Sequence, residues 1–249
     1  MSSDKGLAEQ YQKKTDKEHI LDNPDTYIGS AENTDGDYYL YDSETKRIKT
    51  RTAVVNPGLY KLFDEAIVNC RDHAVRMKVS MEKCKPNTIP LSTIEITIGE
   101  DGTITMYNDG NGIDIAMHPE HKIWIPEMIF AHLRTGTNYD KKEKKIVGGK
   151  NGFGSKLIFI WSTYGKIETI DHVRKKKFTQ EYFNNLDKKS EPIIKTCNTR
   201  PFTRITFKPD YKRLGMETLT KDMIDLFVKR IYDIAAVTDK NIKVKLNGQ

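Results

Sequence analysis

Three stretches of the chain combine residue types suited to binding and attacking an anionic ligand. Lys145 to Lys156 reads K-I-V-G-G-K-N-G-F-G-S-K, with four glycines in seven residues and lysines on both sides. Glycine backbone running into a helix start offers free N–H groups and the positive end of a helix dipole. Both favour phosphate. Lys150 and Lys156 add charge. The spacing G-x-x-x-x-G ends at Gly154, but Ser155 precedes Lys156, the reverse of the order a P-loop requires. A dinucleotide loop needs a strand directly upstream, whereas a charged segment stands there. What remains is a phosphate loop of another kind.

The second stretch lies in a helical pattern. Glu65, Asn69 and Asp72 stand at i, i+4 and i+7, within a narrow arc of one face. Carboxylates and a carboxamide beside Ala66-Ile67-Val68 suit a ligand site, because burying them unpaired is costly. Read alone, they suit a solvated polar face better. The third stretch is N-D-G-N-G-I, residues 108–113, at the exit of an alternating β-branched run. Its glycines permit a tight turn with backbone open to a ligand, and Asn108 can offer a carbonyl to an exocyclic amine. An ordinary turn explains Asp109-Gly110 equally well.

The elements that must position these groups are partly legible. A short helix is expected near Thr15 to Leu21, stopping before Asn23-Pro24, and DTYIGS reads as a turn into an extended segment. Asn56 as N-cap and Pro57 at N1 open the strongest helix, with an apolar stripe of Leu59, Leu62, Phe63, Ala66, Ile67 and Cys70. STIEITIG and GTITMYN, joined by Glu100-Asp101-Gly102, form a hairpin. WIPEMIFAHL, SKLIFIWST and ETLTKDMIDLFVKRIYDIAAV are helices; GKIETIDHV, KKFTQEYFN, TRITFKPD and NIKVKLNG are strands. Strands grouped around few helices predict an α+β fold, one mixed, mainly antiparallel sheet covered on one face.

Composition sets outer limits. The 249 residues allow one large domain or two small ones, and 37% hydrophobic with 31% charged content suits a polar globular chain. No apolar run approaches the ~18 residues of a membrane span. Cys70, Cys84 and Cys197 show no metal-ligand spacing and are expected as free thiols in a reducing, intracellular setting. The net charge of +6 suits a polyanionic partner. Lys141-Lys142-Glu143-Lys144-Lys145 and Arg174-Lys175-Lys176-Lys177 are basic clusters that read as solvated loops at least as readily as nucleic-acid contacts. His19 reads as a structural histidine.

In this order, an E-x-x-x-N helix, N-D-G-N-G after a strand and G-G-K-N-G-F-G at a helix start resemble the GHKL ATPases. Asn23 to Ser30 (NPDTYIGS), Phe63 to Asn69 (FDEAIVN), Thr135 to Tyr139 (TGTNY) and Gly148 to Lys156 (GGKNGFGSK) are similar to the N-terminus of the eukaryotic-type DNA topoisomerase II family. The similarity runs from about Thr15 to Asn247. It implies a Bergerat fold with an ATP lid, ATP and Mg²⁺ as ligands, DNA as partner in the full-length enzyme, a homodimer closing at the N-gate, and no membrane.

Residue by residue, the resemblance implies Glu65 as the base activating water on the γ-phosphate and Asn69 as ligand of Mg²⁺ and nucleotide. Asn108 stands where the superfamily usually reads adenine with aspartate. Gly136, Thr137 and Asn138 match ribose and phosphate contacts. Gly149, Lys150, Asn151, Gly152, Phe153, Gly154, Ser155 and Lys156 match the loop wrapping the triphosphate. Tyr27 matches a contact in trans. Lys61 stands where gyrase has a histidine supporting the base, so that support is expected to be missing. Residues 1–30 are expected as an arm or strap and 31–249 as the ATPase domain, without transducer or DNA-cleaving regions. Expected localisation is the nucleus, or wherever a viral source genome is replicated. The alternatives are another GHKL ATPase, chaperone or MutL-like, and a non-catalytic basic DNA-binding module.

Overall fold

The computed structural model describes residues 15–133 and 154–249. Helix α1 (Asp16–Asp22) begins in a capping box: Thr15 Oγ1 accepts from Glu18 N, and Glu18 Oε2 accepts from Thr15 N at 2.7 Å. Where a turn was expected, Pro24–Tyr27 forms a single helical turn, α2, because Pro24 at its first position is pre-set for helical φ. Strands β1 (Thr34–Asp42) and β2 (Arg47–Val55) form a hairpin that the sequence reading did not identify.

Helix α3 (Pro57–Glu82) extends five residues beyond the expected Met77 and carries the predicted stripe into the core. Strands β3 (Thr93–Ile98) and β4 (Ile104–Asp109) pair as the expected hairpin, and Gly102 takes φ +78° in the turn. Helix α4 (Ile125–Ala131) follows, then α5 (Gly154–Ile160). The chain turns directly from α5 into β5 (Ser162–Asp171), so only the first part of SKLIFIWST is helical. Strands β6 (Lys176–Phe183), β7 (Lys188–Lys189), β8 (Ile193–Thr196) and β9 (Phe202–Pro209) precede α6 (Lys221–Ala236) and β10 (Lys243–Leu246).

Among the described residues, the main sheet has eight strands in the order β10-β3-β4-β9-β5-β6-β7, with β8 also on β6, and only β10 with β3 is parallel. Helices α3 and α5 pack on it through Leu59, Phe63, Ile67, Leu157, Ile158 and Phe159, all buried. Phe63 stacks on Phe227 of α6 at 4.0 Å between centroids, and Arg230 Nε donates to Asp64 Oδ1 at 2.6 Å. Such an aromatic pair adds about 0.5–1.5 kcal/mol beyond its buried area. The β1–β2 hairpin is held on α6 by Arg51, which donates to Asp222 and Asp225 at 2.7 Å each. Ile20 and Ile28, from within the expected arm, belong to the same apolar cluster.

Where the helices meet the sheet's rim, Glu127 in the first turn of α4 is buried and accepts from Lys189, His132 and Gln180. Burial alone would raise its pKa, but these hydrogen bonds outweigh it and hold the carboxyl below the usual range. The start of α3 is fixed by Asn56, which is fully buried. Its Oδ1 accepts from Leu59 N at 2.9 Å, while Nδ2 donates to Ala31 O at 2.8 Å and Leu214 O at 2.9 Å. Asn56→Ala removes the cap and the bonds to the part-buried Ala31 and buried Leu214 carbonyls, so unfolding free energy should fall by about 2–4 kcal/mol. Urea denaturation checks this, and a loss under about 0.5 kcal/mol would remove Asn56 as the anchor of α3.

Candidate active site

Helix α3 presents Glu65, Asn69 and Asp72 on one side, as their spacing predicts. The solvated face favoured by reading them alone is corrected here: Asp72 is only 2% exposed, and Glu65 and Asn69 are half-buried. Asp72 lies 3.8 Å from Arg71 Nη1. Asn69 Nδ2 is a buried atom without a hydrogen-bond partner among the described residues. A carboxamide left this way suits a place where a ligand completes the bonding.

The Glu65 carboxylate is bounded on both sides. Its Oε1 is paired with Lys61 Nζ one turn earlier. The missing support expected at Lys61 is therefore corrected: a lysine supplies a charged partner where a histidine stands in gyrase. Oε2 lies against Gly154, where a Cβ would collide with it. The end of the glycine stretch thus abuts the carboxylate, and a side chain at 154 would displace it.

From α5, Lys156 points inward and is 1% exposed. Desolvation pushes its ammonium down to about 8, from the usual 10.5. Ser155 Oγ donates to Ile129 O of α4 at 3.1 Å, so its hydroxyl ties two helices together. Gly136, Thr137, Asn138, Gly149, Lys150, Asn151, Gly152 and Phe153 lie outside the described residues, as does the cluster 141–145.

The N-D-G-N-G turn forms the far end. Asn108 is buried, and its Nδ2 donates to Asp109 O at 3.0 Å, leaving Oδ1 as an acceptor. Asp109 accepts from Ser92 N at 2.7 Å and Thr93 N at 2.9 Å and pairs with Arg200. Gly112 packs so tightly on β5 that a Cβ would overlap Ile170 O, and Ile113 N donates to Thr169 Oγ1 at 3.0 Å. Tyr27 lies apart, with its hydroxyl 3.1 Å from His19 Nδ1, the structural place expected for that histidine.

The second basic cluster is largely engaged. Arg174 pairs with Asp114 and Asp171, Lys177 pairs with Glu168, and Lys176 lies over the Trp124 ring. Among the described residues, no helix is long and apolar enough to cross a membrane, and no group of three or more His, Cys, Asp or Glu is arranged to hold a metal. Cys70, Cys84 and Cys197 are free, and burial pushes the Cys70 thiol up to about 12. Sequence reasoning did not pair Lys61 with Glu65, although their i, i+4 spacing signals it.

No family model matches the chain. The chain is 44% identical over 249 residues to DNA topoisomerase 2 of Acanthamoeba polyphaga mimivirus, covering 98% of this chain and 19% of that protein. It is 42% identical over 247 residues to the Arabidopsis thaliana DNA topoisomerase 2, covering 98% of this chain and 16% of that protein. It superposes on the crystal structure of the ATPase region of Saccharomyces cerevisiae topoisomerase II with a TM-score of 0.89 at 40% identity, over 97% of this chain and 61% of that one. The ATPase and transducer domains of DNA topoisomerase II from Balamuthia mandrillaris give 0.87 at 39%, over 96% and 60%. The chain therefore spans less than a fifth of these curated relatives. Its relatives and structural neighbours are the ATPase region of type II topoisomerase, its fold is the α+β fold of that region, and this supports the topoisomerase reading over the alternatives.

The two glycine contacts differ in what can give way. At Gly112 the obstacle is main chain, so Gly112→Ala should cost about 2–4 kcal/mol. At Gly154 it is the tip of a long side chain that can swing aside, so Gly154→Ala should cost under about 1 kcal/mol while displacing Glu65. Chemical denaturation of both variants checks the order, and a reversed order would contradict the packing of the turn on β5.

Proposed function

We propose that this chain is the ATP-operated gate of a type II DNA topoisomerase. It binds and hydrolyses ATP, closes as a homodimer, and in the longer protein captures a DNA duplex for passage through a double-strand break. The observation that carries this is Glu65 seated against Gly154 at the end of the glycine stretch, with Asn69 and its orphaned amide one turn further along α3. In this reading residues 1–30 form the arm, with Tyr27 contacting the partner, and 31–249 the ATPase domain. The protein works in the nucleus, or wherever a viral source genome is replicated.

The residues have separable tasks. Asn108 Oδ1 accepts from the base amine, while its Nδ2 uses one of its two hydrogens on Asp109 O. Lys156 and the glycine backbone face the phosphates. Glu65 orients the attacking water and takes its proton, while Lys61 holds the carboxylate in place. Asn69 fits Mg²⁺: a single amide oxygen, without a cluster of carboxylates among the described residues, suits an ion that keeps most of its waters and phosphate ligands. An ion held by Asn69 there would supply positive charge to the phosphates.

ATP with Mg²⁺ should raise the melting temperature, and Asn69→Ala should lose most of the Mg²⁺-dependent part. Glu65→Gln should keep the shift, while in the longer protein hydrolysis falls by about 10²–10⁴-fold. Wild-type melting indifferent to ATP would sink the reading, and near-normal turnover in Glu65→Gln would remove Glu65 as base.

Lys156 gives a pH dependence. A bound triphosphate draws its depressed pKa back up, so above about 8 binding requires proton uptake. ATP affinity should be flat below pH 8 and fall by up to about tenfold per unit above it, and Lys156→Met should flatten the profile. Titration calorimetry across this range is the check; an unchanged slope in Lys156→Met would show that Lys156 does not face the phosphates.

A further inference from the structure

The polar stripe of α3 continues past Asn69. His73 stands four residues on, displaced by about 40° around the helix and 6 Å along it. Asn69 Nδ2 and His73 Nε2 are both buried atoms without hydrogen-bond partners among the described residues. Buried polar atoms are nearly always paired, so two orphans on successive turns of one stripe need an explanation.

The chemistry of the histidine is fixed by its surroundings. The backbone of Asn111 favours the protonated ring, and since Nε2 has no partner among the described residues that interaction falls to Nδ1. Burial opposes it, helped by Arg76, and pushes the pKa down to about 4, so the ring is neutral near pH 7. With Nδ1 carrying the hydrogen, Nε2 is a bare acceptor. A Cβ on Gly110 would stand 3.4 Å from that nitrogen, which sets Nε2 against the turn that carries Asn108. Asn108 Oδ1 is a second acceptor at the same turn, its Nδ2 being oriented by a bond to Asp109 O.

Two acceptors bordering one turn call for a ligand group with two hydrogens. An exocyclic amine has them; a ring carbonyl in the same place would set oxygen against both acceptors and leave them unpaired. We propose that His73 is a base-recognition residue, accepting through Nε2 the second hydrogen of the 6-amino group of a purine nucleotide, directly or through one water. The inference rests on the nucleotide reading of the site and adds to it the residue that selects a 6-amino over a 6-oxo purine.

The test is titration calorimetry on wild type, His73→Phe, which keeps a ring and removes the acceptor, and His73→Gln, which restores one. The probes are ATP, purine riboside triphosphate, which lacks the amine, and 3′-deoxy-ATP. Wild type should prefer ATP over the amine-less triphosphate. That preference should shrink by about three- to tenfold in His73→Phe and recover in part in His73→Gln, while 3′-deoxy-ATP tracks ATP throughout. Should His73→Phe not fold, His73→Leu gives the same ratio. A preference unchanged by the substitutions overturns the proposal, as does a loss falling equally on both purines or on the ribose hydroxyl comparison. Wild type that binds no nucleotide removes the site reading and this inference together.

Discussion

The N-terminal half of α3 is committed to its neighbours, and that constraint organises the molecule. Leu59, Leu62, Phe63, Ala66 and Ile67 are fully buried among the sheet and neighbouring helices, Asp64 is tied to Arg230 of α6, and Lys61, Glu65, Asn69 and His73 share the remaining arc. The helix cannot rotate or slide without exposing its core side, so the core packing fixes where the carboxylate and the amides stand. Asn56 sets the axial position by joining the first turn to Ala31 and Leu214. The chemistry of the site is therefore borrowed from the rigidity of the core.

Much of this was legible because the signals are local. Asn56-Pro57 and the apolar spacing mark α3, and the turn residues mark β3–β4. The β1–β2 hairpin was not legible, because only Leu40, Ala53 and Val55 of its two strands are buried hydrophobics. Its turn has no glycine; Asp42 Oδ1 closes it by accepting from Glu44 N and Thr45 N, and Lys46 takes φ +54°. What secures it is Arg51 reaching Asp222 and Asp225, more than 170 residues away, a pairing that no sequence period reveals. Strands β7 and β8 are too short to carry a period.

Within the candidate site, spacing revealed Glu65 and Asn69 but not their condition. Lys61 at i−4 is visible in the sequence, yet an exposed helical pair contributes little and looks the same as one that braces a half-buried carboxylate. His73 gave no signal, because an orphaned acceptor becomes visible only once all its neighbours are placed. Ser155 shows the converse: it sits inside the glycine motif, but its hydroxyl is spent on Ile129 O, joining α5 to α4.

Among the described residues, part of the basic surface is already paired, which bears on the rival reading as a bare basic module. A surface built to hold a polyanion keeps its cations uncommitted. Here Arg174, Lys177, Arg200, Arg204 and Lys166 are matched to Asp114, Asp171, Glu168 and Asp109. Lys156 is a buried cation whose desolvation depresses its pKa, an environment in which a positive charge and a phosphate interact strongly. The neighbouring residues Asn108 and Asp109 divide their work in the same spirit. Asp109's charge is absorbed by Ser92, Thr93 and Arg200, so the residue beside it can meet a base as a neutral amide. Placing asparagine rather than aspartate at 108 keeps a second carboxylate out of a buried turn, where two like charges on adjacent residues would each raise the cost of the other.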